Sequence, residues 1–260
     1  MRRKHMRFLA AVLAAALLTF LCAIPAGASF ESEYKSYRGE WAGGGRSPIK
    51  MKLVEDTITF VYSPVFYFDS GFHLTEQGKA AIIDECLAGF RQWEGIYEIG
   101  GRELTVVVDV HPATSASKLG SNVRILPLNP ILTSMVWGTS FWKPSSPFLR
   151  MELRNSSPQY LTRVAMHEFG HILGLSDAYG YGQHFRRVIP FLDLGWLGDW
   201  LLPEAPPDRA PEDGVMRGGW DITPTDIEML LWAWKNNRFQ LYVKSISTWV
   251  GGQVSPVFSK

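Results

Sequence analysis

The sequence predicts an α+β fold, built as a twisted mixed sheet with a motif-bearing helix and a C-terminal helix. Three observations carry this expectation: short β-branched and aromatic runs early in the chain, a strictly alternating run at 148–154, and helical-period segments that first interrupt the strands and then close the series. Residues 51–68, "MKLVEDTITFVYSPVFYF", read as one or two strands with a break at Pro64. A helix is expected next. Thr75 and Gln77 open "TEQGKAAIIDECLAGFRQW", in which Ala81, Ile82, Cys86, Phe90 and Trp93 recur at helical spacing and predict one buried face. The continuous apolar run "ELTVVVDV" at 103–110 predicts a buried strand.

In "FLRMELR" at 148–154, Leu149, Met151 and Leu153 face one way and Arg150, Glu152 and Arg154 the other, the pattern of a half-buried strand. A second helix is predicted from about 158 to 175. A third should run from Thr223 and Pro224 to about Lys235, with Pro224 in the first turn and Asp226 close behind it. The stretch 179–214 is irregular and rich in Pro, Gly and aromatics, and reads as an insertion whose Trp196 and Trp200 either pack it, the favoured reading, or line a pocket. Residues 239–260 form a C-terminal extension of strand-like composition.

The first 28 residues follow another logic. Arg2, Arg3, Lys4 and Arg7 precede a 17-residue apolar run, Phe8 to Ile24, and then Pro25 and the small residues Ala26, Gly27 and Ala28. This is the layout of a secretory signal peptide cleaved after Ala28, with an uncleaved N-terminal anchor as the alternative. Cys22 follows the bulky Leu21, which disfavours a lipidated cysteine. Residues 29–260 are then expected to form a single secreted domain, and a monomer without stable membrane association. Removing four basic residues leaves 26 minus 4, or 22, Lys+Arg against 25 Asp+Glu, about −3, which excludes a nucleic-acid partner. Cys86 alone remains, so no intramolecular disulfide is available, and it reads as a buried small hydrophobe.

The chemistry is concentrated in "HEFGHILGLSD", residues 167–177. On a helix His167 and His171 project from one face and can reach one ion at roughly 2.0–2.1 Å. Glu168 lies about 100° around the helix, beside the ion, where a carboxylate can act as general base. Gly174 can take a positive φ, end the helix and return the chain, bringing Asp177 to the metal. Three protein ligands and an open position describe a catalytic zinc; a structural zinc would be closed by a fourth ligand, usually cysteine. The competing arrangement, a third ligand from Glu204 or Glu212, places it in Pro-rich sequence that is poor helix material. His73, His111 and His184 read as solvent-exposed.

With these residues in view the chain resembles the metzincin clan of zinc peptidases, whose motif is HExxHxxGxx(H/D) with a methionine turn below the metal. "IIDECLAGFRQWEGI" resembles the first helix of matrixin-like members, "LRMELR" followed by "LTRVAMHEFGHILGL" their last strand and active-site helix, and "DGVMRGG" followed by "ITPTDIEMLLWAW" the methionine turn and C-terminal helix. The likeness covers roughly residues 50–238. It implies a metzincin or zincin-like catalytic domain with one catalytic Zn2+, His167, His171 and Asp177 as its ligands, Glu168 as general base and Met216 as the turn methionine.

The implied function is secreted endopeptidase action on extracellular protein or peptide. Calcium is compatible with the sequence but not indicated by it. Asp177 stands where most of the clan has His, as in snapalysin-like members, and a carboxylate there leaves bound water less acidic, so activity should extend to alkaline pH. No cysteine stands between residues 29 and 85, so a thiol latency switch is absent. Residues 134–141 are the expected edge for an extended substrate. From a different class, the alternative is a catalytically inactive zinc-binding or protein-binding module on the same scaffold; the retained Glu168 argues against it.

Overall fold

The computed structural model describes residues 30–32, 36–37, 45–71, 73–127, 134–137, 150–154, 157–175, 177–178 and 213–236. The expected signal peptide, most of the 179–214 insertion, Leu149 and the C-terminal extension lie outside them. Among the described residues the chain is α+β, with mixed sheets and three α-helices. No helix among them is long and apolar enough to cross a membrane.

The stretch expected to hold one or two strands holds three, β4 (Ile49–Val54), β5 (Thr57–Tyr62) and β6 (Val65–Phe68). Pro64 has no N–H to give to a ladder, which is why β5 and β6 separate. Strand β8 (Arg102–Val110) is likewise parted from β9 (Ala113–Thr114) by His111 and Pro112. The ladder survives both interruptions, because His111 N–H donates to Tyr62 O at 2.9 Å and Ala113 N–H to Pro64 O at 2.9 Å. Two five-stranded sheets thus run into each other through β5–β6 and β8–β9. One has the order β1-β4-β5-β8-β7, with β1 at Phe30–Ser32 and β7 at Gly95–Ile99; the other is β11-β12-β10-β6-β9, with β10 at Val123–Leu126, β11 at Met135–Trp137 and β12 at Arg150–Arg154. A further pair joins β2 (Ser36–Tyr37) to β3 (Gly45–Arg46).

Strand β8 corrects an expectation. Its burial alternates, with Leu104, Val106, Val108 and Val110 inside and Thr105 and Asp109 exposed, so it is half-buried despite its apolar run. The parity of a strand points Val107 away from the core, and 36% of its surface is exposed. In β12, Met151 and Leu153 are fully buried beneath the sheet, as the alternation predicts.

Helix α1 (Glu76–Arg91) begins at Thr75, whose side chain accepts from Gly78 N–H. Ile82, Cys86, Phe90 and Trp93 are buried as expected, but Ala81 is exposed, because the stripe passes through 82, 86 and 89–90 and leaves 81 on its rim. Helix α2 (Pro158–Leu173) starts at the cap Ser157 and ends two residues earlier than the expected limit. Helix α3 (Pro224–Asn236) opens with a reciprocal cap in which Thr223 N–H donates to Asp226 Oδ2 at 2.7 Å and Asp226 N–H to Thr223 Oγ1 at 3.3 Å.

Aromatic packing fixes α2 in place. Phe169 of α2 stacks on Phe90 of α1 at 4.8 Å between centroids, and Tyr62 of β5 lies 5.6 Å from each of them. Such pairs contribute about 0.5–1.5 kcal/mol each beyond their buried area. Three polar anchors add direction along the helix: Trp93 Nε1 donates to Met166 O at 3.0 Å, Ser47 Oγ to Ile172 O at 3.0 Å and Trp234 Nε1 to Leu173 O at 2.9 Å. Replacing Trp93 with Phe removes a buried donor and leaves space beside α2; it should cost about 1–3 kcal/mol of unfolding free energy. Urea denaturation measures this, and an unchanged midpoint would mean that the indole anchor contributes nothing.

Candidate metal centre

Helix α2 carries two functional side chains on one stripe and a third beside it. His167 and His171 are one turn apart, and their rings meet edge to face with centroids 4.9 Å apart. At the end of the helix Gly174 adopts φ 115°, a left-handed conformation that residues with a side chain rarely take, and its N–H returns to Gly170 O at 3.1 Å. Leu175 N–H also donates to Gly170 O, at 3.0 Å. This reversal carries Asp177 back over the helix. Its Oδ1 lies 3.1 Å from His167 Nε2 and 3.4 Å from His171 Nε2.

The ligand atoms of His167, His171 and Asp177 all fall within 4.8 Å of one another, a group able to hold a metal ion. Each imidazole is oriented from behind. His167 Nδ1 lies 2.7 Å from Val215 O and His171 Nδ1 2.7 Å from Leu175 O. A carbonyl only accepts, so in both rings Nδ1 carries the proton and Nε2 is left to the group in front, the second-sphere arrangement that metal-binding histidines use.

Val215 belongs to the segment beneath the site. Gly214 bridges Asp221, Val215–Arg217 form a single 3-10 turn, and Gly218 closes it at φ 91°. Met216 is fully buried, and its carbonyl accepts from Ala178 N–H at 2.8 Å, joining this turn to the segment that bears Asp177. The Met216 side chain packs against the backbone of α2 at Gly170. A Cβ at Gly170 would collide with Met216 Sδ and come within 2.9 Å of Trp93 Cζ2. Met216 therefore floors the helix that bears His167 and His171.

Glu168 is 5% exposed, and its Oε2 has no hydrogen-bond partner among the described residues. Burial pushes its pKa up, against the opposing pull of His171 and His167. A buried, unsatisfied carboxylate is costly, and here it stands beside the three converging side chains of His167, His171 and Asp177. Arg163, one turn before His167, holds its guanidinium 4.7 Å from the ring centroid of Trp220, which is 59% exposed.

Of the other titratable candidates, His73 is exposed, and His111 is exposed and 3.2 Å from Asp109 at the end of β8; neither joins the cluster. His184, Glu204, Glu212, Trp196 and Trp200 lie outside the described residues. Cys86 is buried in the core, and burial pushes its thiol far up, away from reactivity. The carbonyls of Leu175 and Val215 and the close approach at Gly170 were not anticipated from sequence; a glycine between the two histidines was the signal available for the last.

Compared with models of known protein families, with curated proteins and with solved structures, the chain matches none. The site therefore rests on its own geometry.

Two predictions follow from that geometry. Gly170→Ala should displace Met216, costing about 1–3 kcal/mol and weakening metal binding, as read by denaturation and by competition with a chromophoric chelator. An unperturbed variant would show that Met216 does not support the site. The second prediction concerns pH.

In the metal-free protein burial alone would lower the His171 pKa, but the Asp177 carboxylate overrides it and raises it from 6.5 to about 9. Burial would raise Asp177, yet His171 holds it well below 3.8. The stability from His171 is full below 6.5 and fades as pH rises through about 9, while that from Asp177 is present above 3.8 and fades as pH falls through its depressed value. Chelator-treated protein should accordingly melt highest between about pH 4 and 6.5. A melting temperature that climbs from pH 6.5 to 9 would contradict the pairing.

Proposed function

We propose that this chain is a zinc-dependent endopeptidase of metzincin type, exported through its N-terminal segment and acting on extracellular protein or peptide. The observation that carries the reading is the meeting of His167, His171 and Asp177 within 4.8 Å, beside the buried carboxylate of Glu168. Two imidazoles and one carboxylate, with no cysteine among them, suit zinc in an open catalytic site. The Nδ1 bonds to Val215 O and Leu175 O present both Nε2 atoms as ligands, so the donor set fits the ion. Zinc held there would act as a Lewis acid on water and on the scissile carbonyl.

The chain's own groups do the rest. Glu168, whose affinity for a proton is raised by burial, takes the proton from the attacking water and passes it to the leaving amine. Among the described residues strand β11 is the outer strand of its sheet, antiparallel to β12, and that edge suits main-chain pairing with an extended peptide. Arg163, one turn before His167 on the same helix, and Trp220 against it are the residues to vary for side-chain preference. Asp177 in place of a third imidazole lowers the net positive charge at the ion, so the rate should hold toward alkaline pH, and an optimum below about pH 6 would count against this assignment.

The decisive test is residues 29–260 expressed beside Glu168→Gln, with metal measured by elemental analysis and turnover on casein or a quenched-peptide library. One zinc per chain is expected in both proteins. Turnover should fall by about 10²–10⁴-fold in the variant and vanish on chelation. Zinc without turnover in the parent protein would overturn the peptidase reading, and no zinc in either would remove its basis.

A further inference from the structure

On the far side of the second sheet a buried positive charge is only partly answered. Met151 and Leu153 of β12 fill the core, so Arg150 and Glu152 occupy the opposite face, and the parallel register of β10 sets Arg124 against Glu152. The Arg124 side chain is 8% exposed and that of Glu152 14%. A guanidinium has five N–H donors in a fixed fork. At Arg124, Nη1 reaches Glu152 Oε1 only at 3.4 Å, Nη2 reaches Lys118 O at 3.2 Å, and Nε has no partner among the described residues.

Charge-assisted bonds normally close to about 2.7–2.9 Å, so this fork is loosely held. Arg150 lies two residues before Glu152 on the same face and has no ion pair among the described residues. Burial and then the positive charge of Arg124 depress its pKa, so the two guanidinium groups feel each other. Among the described residues Arg124 and Arg150 share the Glu152 carboxylate, which leaves a net positive charge within this group on a part-buried surface. An uncompensated buried charge is expensive, and an anion held by the part-exposed Arg150 beside the Arg124 guanidinium would relieve it.

We infer that Arg124 and Arg150 form a binding site for a small oxyanion, of phosphate, sulfate or carboxylate type, on the face of the sheet opposite the helices. Such a ligand would tie β10 to β12. Residues 155–157 alone separate β12 from helix α2, so the anion stabilises the strand from which the metal-binding helix departs. The inference is independent of the peptidase reading, since it needs neither zinc nor turnover.

Thermal melting of the full chain in inorganic phosphate, sulfate or acetate, against chloride at matched ionic strength, tests it. At least one of the three should raise the midpoint saturably by about 2–4 °C over chloride, and the one that does identifies the ligand as tetrahedral or carboxylate. Arg150→Gln, altering a partly exposed side chain, should fold and lose the shift; Arg124→Lys, which keeps the charge but not the fork, should weaken it. Identical curves in all four anions would overturn the proposal. An Arg150→Gln protein that responds like the parent would overturn it as well, because the anion would then be bound elsewhere, the metal centre included.

Discussion

The hydrogen bonds from His167 Nδ1 to Val215 O and from His171 Nδ1 to Leu175 O govern how this molecule is arranged. A histidine free to rotate or change tautomer is a poor ligand, and a helix alone cannot fix either choice, since its own carbonyls are engaged along the axis. The acceptors must come from elsewhere. One is supplied by the chain just after α2, which requires an abrupt reversal at Gly174; the other by a turn nearly fifty residues onward, which requires that turn to lie hard against the helix. The burial of Met216 and the bare backbone at Gly170 satisfy the second demand, because any side chain at 170 would lift the turn away.

Orientation of this kind is useful only if α2 does not slide. Its apolar face is clamped by Phe90, Tyr62 and Trp93, and its carbonyls at Met166, Ile172 and Leu173 each take a donor from a different part of the chain. Packing supplies most of the energy, while these bonds set the register, since a displaced helix would draw its carbonyls away from three buried donors, Trp93 Nε1, Ser47 Oγ and Trp234 Nε1. The sheet contributes rigidity by the same means. Continuity through Tyr62, Pro64, His111 and Ala113 keeps the two five-stranded sheets from hinging at their prolines.

Much of this was legible in the sequence where a single side chain has a single consequence. Thr75 and Pro224 mark helix starts, Gly174 a helix end, and Ile82, Cys86 and Phe90 a buried stripe; the metal group was readable because spacing on a helix fixes direction. Strand β10 was not anticipated, because four residues containing Arg124 have no diagnostic period until neighbours β6 and β12 bury them from both sides. β7 was hidden because "GIYEI" follows the helical pattern of α1 without an apolar break. β8 was misjudged as buried because composition reports affinity for a core and not whether a second layer covers the sheet. The carbonyl acceptors behind the histidines belong to the main chain, which every sequence has, so only the fold reveals them.

The placement of Glu168 shows what the fold gives up for its site. A carboxylate buried to this degree with an oxygen unpartnered among the described residues opposes folding, and an amide or apolar side chain of similar size would oppose it less. The neighbouring imidazoles compensate in part, since their pull on its proton opposes the effect of burial. A residue serving packing alone would be satisfied locally, as Asp226 is by Thr223 at the start of α3. The contrast between these two buried acids, one bonded to complete a helix and one with an oxygen unpartnered among the described residues, is the physical argument that supports the proposed role of Glu168 as general base.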